Sequence, residues 1–303
     1  MNKLPVETRV QILSMLCEGS SMRSISRVCD VSFNTVAKLL VDAGKVCSDF
    51  HDERVRKVKA RNVACDEIWS FNYCKGRNVK KASSAPEGAG DVWTWTAIDS
   101  DTKLMISWLV GSRNSHAANH FLRDLRSRVA GEPQITTDGH KPYIQAVAAA
   151  FGPDVDYAML VKIFGPETAV GPEKRYSPPV CIGAEASVVS GYPDLSRVNT
   201  SFAERQNLTM RMSMRRFTRL TNAFSKKFEN HCHALALYFV WYNWIRTHKT
   251  LRMTPAMAAG LTDKLMDWSD IVLLMDVSER EAVLDKRGMV LRSGRDPFDR
   301  ISL

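Results

Sequence analysis

No stretch of this chain approaches the roughly 18–20 uninterrupted apolar residues that a membrane-spanning helix needs. The opening residues, MNKLPVETR, hold no apolar signal core. These absences lead us to expect a soluble, cytoplasmic protein with no membrane partner. Cysteine is sparse and scattered, with seven residues at 17, 29, 47, 65, 74, 181 and 232 and neither a Cys-x-x-Cys pair nor zinc-ligand spacing. An odd, unpatterned set argues against a disulfide framework and for reduced thiols in a reducing compartment. No internal repeat is visible.

What is present suits a globular, basic protein. The 303 residues are 45% hydrophobic and 25% charged, enough for a sizeable core and for about two domains. Lys and Arg number 42 against 33 Asp and Glu, a formal net charge of +9. That excess favours a polyanionic partner.

Residues 6–18, 22–29 and 33–43 have helical spacing. Ser21 and Ser32 stand in N-cap positions, and Gly19 and Gly44 stand as stops. Ile12, Ile25, Val31, Val36 and Leu39 are expected to form one small core, with Val28 also facing inward. A short helix, a tight turn and a longer helix is the helix-turn-helix plan, and it would offer Asn34, Thr35 and Lys38 to a DNA major groove. A plain three-helix bundle that packs on its neighbour is the other reading. We place this unit at residues 1–50 and a basic linker at 51–61. The linker carries Arg54, Arg56, Lys57, Lys59 and Arg61. It is either a solvated connection or a stretch that tracks phosphates.

From residue 62 the pattern changes to strands at 63–73, 92–99 and 104–111. A helix at 116–129, a strand at 134–137, a helix at 142–151 and a strand at 157–164 follow. Three antiparallel strands followed by alternating helix and strand make a mixed α/β layer structure of the ribonuclease-H-like order. We expect this catalytic domain over 62–250, with a Gly/Pro-rich insertion at 165–198 holding one short strand at 180–186. Helices are expected at 199–213, which carries Glu204, and at 228–248. A C-terminal helical extension and tail should occupy 251–303, weakly ordered after Asp276.

The acidic residues are the chemically pointed feature. Asp66 and Glu67 lie in the apolar strand ACDEIWSF, and an unpaired buried carboxylate is costly. Successive strand residues face opposite ways, so only one of the two should join a cluster, and Asp66 is our choice. Asp138 ends the fourth strand, which neighbours the first in this order, and Glu204 lies on a late helix that would pack across the same edge. Three such carboxylates would repel one another unless a cation neutralised them. Together they could hold two Mg²⁺ ions ~3.5–4 Å apart, with Mn²⁺ as a substitute. Asp99 and Asp101 read as turn residues, and His116, His231 and His233 as structural ones. His140 is kept as a weaker site candidate. Between Glu204 and Glu229 there is no acidic residue but a run of basic ones that includes Arg211, Arg215, Arg216 and Arg219. Arg211, two helical turns after Glu204, shares its face.

The strings DEIWSF, TTDGH and FAERQN, with the basic continuation LTMRMSMRRFTRLTNAFSKK, resemble the DDE transposases of bacterial insertion sequences, closest to the IS1-like group. The resemblance covers roughly residues 60–260. It implies a ribonuclease-H-like domain with Asp66, Asp138 and Glu204 as catalytic metal ligands, and Mg²⁺-dependent cutting and joining of double-stranded DNA. It also implies a homo-oligomer at the synapsed ends and association with the nucleoid. The sequence departs from the group's founding members in having no zinc-binding cysteine set before the helix-turn-helix, and from compact members in the longer interval of 66 positions from Asp138 to Glu204. A nuclease of the same fold that only cuts, or a non-catalytic DNA-binding regulator, are the alternatives.

Overall fold

Serine side chains start two of the first three helices as the sequence predicts. In this computed structural model, which describes residues 3–153, 155–165, 180–218, 221–286 and 301–302, the Ser24 and Thr35 amides donate to Ser21 Oγ and Ser32 Oγ. These bonds satisfy N–H groups that lack partners at a helix start. The helices are α1 (Val6–Cys17), α2 (Met22–Val28) and α3 (Phe33–Arg54). Ile12, Ile25, Val36 and Leu39 are buried as expected. Val28 is not: it is 61% exposed, at the last position of α2.

Gly44 does not stop α3. The helix continues through it because the glycine lies where α3 presses against a later helix, α8 (Phe228–Val240). A Cβ placed on Gly44 would fall 2.4 Å from His233 Cβ, so the missing side chain permits a close crossing. α3 thus passes the expected boundary at residue 50 and takes up the first part of the expected linker. The remainder of that linker alternates in burial. Val55, Val58 and Ala60 are buried, and Lys57 and Lys59 are exposed. Arg56 is pinned by Asp52 and Ser127.

The sheet contains β1 (Asn62–Asn72), β2 (Gly90–Asp99), β3 (Met105–Gly111), β4 (Gln134–Thr137), β5 (Tyr157–Phe164) and β6 (Cys181–Ser190). Their spatial order is β6-β5-β4-β1-β2-β3, and the two-residue strand β7 (Ile301–Ser302) follows β3. β1, β2 and β3 are antiparallel neighbours, β4 runs parallel to both β1 and β5, and β6 returns antiparallel to β5. The expected adjacency of the first and fourth strands is therefore present. The segment 165–198 had been read as an insertion with one short strand. Its described part supplies a ten-residue strand, β6, to the sheet, and residues 166–179 lie outside the described residues. A short helix, α4 (Gly76–Val79), interrupts what reads in sequence as a loop.

Helices cover both faces of the sheet. On one face Trp95 of β2 packs against Phe121 of α5 (Ser115–Arg128) and Tyr143 of α6 (Pro142–Phe151). On the other, Trp108 of β3 meets Phe239 of α8, a helix buried almost all round, as a helix apolar on every side must be. α8 ends before the predicted residue 248. It widens into a π turn at Trp241–Ile245, where the Asn243 side chain accepts from Met105 N and donates to Met105 O. Such turns commonly serve to aim a side chain. Glu204 is carried by α7 (Ser201–Ser213), and α9 (Pro255–Ala258) begins at the Thr254 cap. The weakly patterned tail is helical through Lys286, and its other described residues are the strand β7. α10 (Trp268–Lys286) runs well past Asp276, which Arg9 of α1 grips at 2.6 Å.

Candidate active site

The parallel β1–β4 pair ends at Ala64 opposite Thr136. Two residues further on each strand stand Asp66 and Asp138, at one level beside the open end of β4. Both line a cleft of about 860 Å³, together with Glu67, Arg113, His140, Lys162, Thr200, Glu204, Asn207 and Arg211. All three predicted carboxylates and the predicted Arg211 thus share one cleft, with His140 at its wall.

The carboxylates differ in their partners. Asp66 accepts from its neighbour's amide, Glu67 N, at 2.8 Å and from Asn207 Nδ2 of α7 at 2.7 Å. Asp138 accepts from His140 N at 3.0 Å, the local turn geometry typical of Asp, and its other oxygen lies 3.6 Å from Arg113. Glu204, in the first turn of α7, accepts from Thr200 Oγ1 at 2.8 Å and pairs with Lys162 of β5.

Glu67 was expected on the far face of the sheet, apart from the others. It is instead a member of the group: carboxylate oxygens of Asp66, Glu67 and Asp138 lie within 4.8 Å of one another. The alternation rule separates Asp66 from Glu67 within a continuous sheet. Here β4 has already ended, and side chains from both faces reach the gap it leaves. The Glu67 side chain is 1% exposed and accepts from Arg113 Nε at 3.0 Å, and Arg113 in turn stacks on Trp93. Glu204 is not within that tight group, because Lys162 and Thr200 hold its carboxylate.

Electrostatics follow from this crowding. Burial, then the charges of Glu67, Asp138 and Glu204, push the Asp66 carboxyl up to about 7. Burial also raises Glu67, against the pull of Tyr143 and Arg113. Burial would raise Glu204 as well, but its bonds from Lys162 and Thr200 outweigh this and leave it below the ordinary range. Tyr143 lies near Glu67, yet neither its hydroxyl nor Glu67 Oε1 has a hydrogen-bond partner of proper geometry. A set of hard oxygen donors, mutual repulsion that one guanidinium relieves only in part, and an orphaned buried carboxylate oxygen together fit a hard divalent cation.

The other predicted residues divide into two groups. Asn34 is exposed on α3 and lines a second cleft, of about 630 Å³, with Arg215, Arg216, Lys226 and Lys227. Thr35 is occupied with Ser32, and exposed Lys38 pairs with Asp42. Arg215 is exposed, whereas Arg216 turns inward to Ser225 Oγ and the Asn230 carbonyl, and burial pulls its pKa down to about 10. Arg219 lies outside the described residues. The Asp99 turn is as expected, bonded by Asp101 N and Thr102. His231 is buried beside Ser70 and Ser225 and held neutral, near 3. Sequence reasoning weighed Glu67 and set it aside, and it missed Arg113, Lys162 and Asn207. Of those three only Asn207 carried a signal, one turn beyond Glu204.

Residues 89–158 match the model of the DDE_Tnp_IS240 family, described as a DDE domain. The match runs from the start of β2 into β5 and contains Asp138. No curated protein matches the chain. Among solved structures, the cryo-EM structure of a piggyBac transposase synaptic complex with hairpin DNA is similar at 9% identity, covering 97% of this chain and 74% of that one. The TM-score of that likeness is 0.36. Among the described residues no helix is long and apolar enough to cross a membrane. The DDE match, and the acidic cleft of which it holds one corner, support a DDE-type transposase, an enzyme of the polynucleotidyl-transferase class.

Proposed function

We propose that this protein cuts DNA at the ends of an insertion sequence and joins the freed 3′ ends to a target. The observation that carries the reading is the meeting of Asp66, Asp138 and Glu204 in one cleft, from a strand, a strand end and a distant helix. The strand order β5-β4-β1-β2-β3 supports the ribonuclease-H-like label for the sheet. The Ser21 and Ser32 caps and the exposed Asn34 and Lys38 support a helix-turn-helix role for residues 1–50.

In this reading Asp66 and Asp138, with Glu204, hold Mg²⁺ or Mn²⁺. When bound, the cation activates an attacking oxygen and stabilises the departing one. The protein's own groups do the rest. Thr200 and Lys162 restrain Glu204, and Asn207 restrains Asp66. Arg113 neutralises Glu67. Arg211, on the helix of Glu204, reaches the phosphate beside the scissile bond. In cleavage a water oxygen bonds to phosphorus as the water gives up a proton to solvent, the P–O3′ bond breaks, and O3′ takes up a proton, leaving a 3′-hydroxyl and a 5′-phosphate. In joining, the freed 3′ oxygen attacks a phosphodiester of the second duplex and displaces its 3′ oxygen. Asn34, Thr35, Lys38, Arg56, Lys57, Lys59, Arg215 and Arg216 are assigned to duplex DNA, although Arg56 and Arg216 first have to leave protein partners. A pair of ends calls for at least two copies.

The test is to incubate the protein and Mg²⁺ with a labelled duplex carrying the element's terminus and a second, unlabelled duplex. Label transferred to the second duplex supports the reading. Cutting without transfer would leave a nuclease, and DNA binding without cutting would leave a regulator.

A further inference from the structure

We infer that Asn207 is the positioning residue of the acidic cleft, the group that holds Asp66 in register with the helix that carries Glu204. This rests on the metal-site reading above and adds to it a residue that neither the resemblance nor the family match assigns.

Asn207 follows Glu204 by three residues on α7, so both side chains project from one face of that helix. Asn207 is 6% exposed, lines the cleft, and donates Nδ2 to Asp66 Oδ2 at 2.7 Å. It is a direct side-chain bond between α7 and the strand that bears Asp66. With Asp66 ionised, the state in which it can hold a cation, the carboxylate only accepts, so the NH₂ group faces it. That leaves Asn207 Oδ1 buried with no hydrogen-bond partner, an open oxygen at the edge of an oxygen-lined site. Partners that orient a metal-binding carboxylate commonly change metal affinity 10–100-fold when removed.

The neighbouring residue supplies a matched control. Gln206 is also a buried amide on α7, 2% exposed, but its Nε2 donates to the Tyr238 hydroxyl at 3.1 Å, away from the carboxylates. A structural role in seating α7 should therefore be shared by both amides, and a positioning role toward Asp66 should belong to Asn207 alone.

The experiment measures Mn²⁺ binding to the full chain, without DNA, by electron paramagnetic resonance, with thermal unfolding in parallel. Asn207→Leu, and the smaller Asn207→Ser should the first not fold, are expected to weaken Mn²⁺ binding at least tenfold. Gln206→Leu is expected to lower the melting temperature and leave Mn²⁺ affinity within about twofold. Equal Mn²⁺ affinity in wild type and both Asn207 variants would overturn the inference, as would equal losses in Asn207→Leu and Gln206→Leu. Asp66→Asn keeps the two questions apart. If it binds Mn²⁺ as wild type does, the metal-site reading itself fails. If it loses binding while the Asn207 variants keep it, only the inference fails.

Discussion

Arg113 Nε donates to Glu67 Oε2 at 3.0 Å, joining an arginine from the end of β3 to a glutamate that is almost wholly enclosed. The pair explains how a fourth carboxylate is tolerated beside Asp66 and Asp138. Arg113→Ala should strand Glu67 without a counter-charge, at a cost of roughly 1–3 kcal/mol. The loss should be larger at pH 8 than at pH 5, because burial already raises Glu67 and a protonated Glu67 needs no partner. Urea unfolding at the two pH values measures it, and Glu67→Gln in the same chain should recover most of the loss.

Cation binding should release protons. Without metal Asp66 titrates near 7 against an ordinary 3.8. A raised folded-state pKa means that the folded chain holds this proton more tightly than the unfolded one, so its ionisation opposes folding as pH climbs from about 4 through 7. A divalent cation favours the ionised form, and its apparent affinity should therefore rise between pH 6 and pH 8. Calorimetric titration in buffers of different ionisation enthalpy reads both the affinity and the proton count.

Gly44→Ala should destabilise the protein although alanine is the better helix former. The added methyl would sit 2.4 Å from His233 Cβ and 2.6 Å from its Cα and carbonyl oxygen, and backbone cannot yield as a flexible side chain does. We expect a net cost of about 1–3 kcal/mol, seen as a lower urea midpoint with an unchanged slope.

Much of the sheet was legible in the chain, and the reasons are local. The strands at 134–137 and 157–164 and the helix at 142–151 carry their own periodicity and breakers, and their ends fall where the sequence puts them. Elements whose limits depend on tertiary contact were misread. Gly44 looks like a helix stop until α8 is laid across it, and the helix at 228–248 breaks early at the turn that brings Asn243 to Met105. The cleft divides the same way. Asp66 and Asp138 stand out as acids in apolar or strand-end settings, whereas Glu204 on its own reads as a solvated helix face and is picked out by the basic run behind it and by the family resemblance. Glu67 was set aside by a strand rule that fails once the neighbouring strand has ended. Arg113 and Lys162 left no sequence trace, because their relevance arises only when β3 and β5 bring them to the carboxylates.

On the proposed reading Asp66 and Asp138 serve chemistry and not architecture. Its most direct test is strand transfer by Asp66→Asn and Asp138→Asn proteins on a duplex bearing the element's terminus, with a gel-shift on the same duplex as control. Each substitution should abolish Mg²⁺-dependent joining and leave binding of the end intact. Undiminished joining by either variant would contradict it.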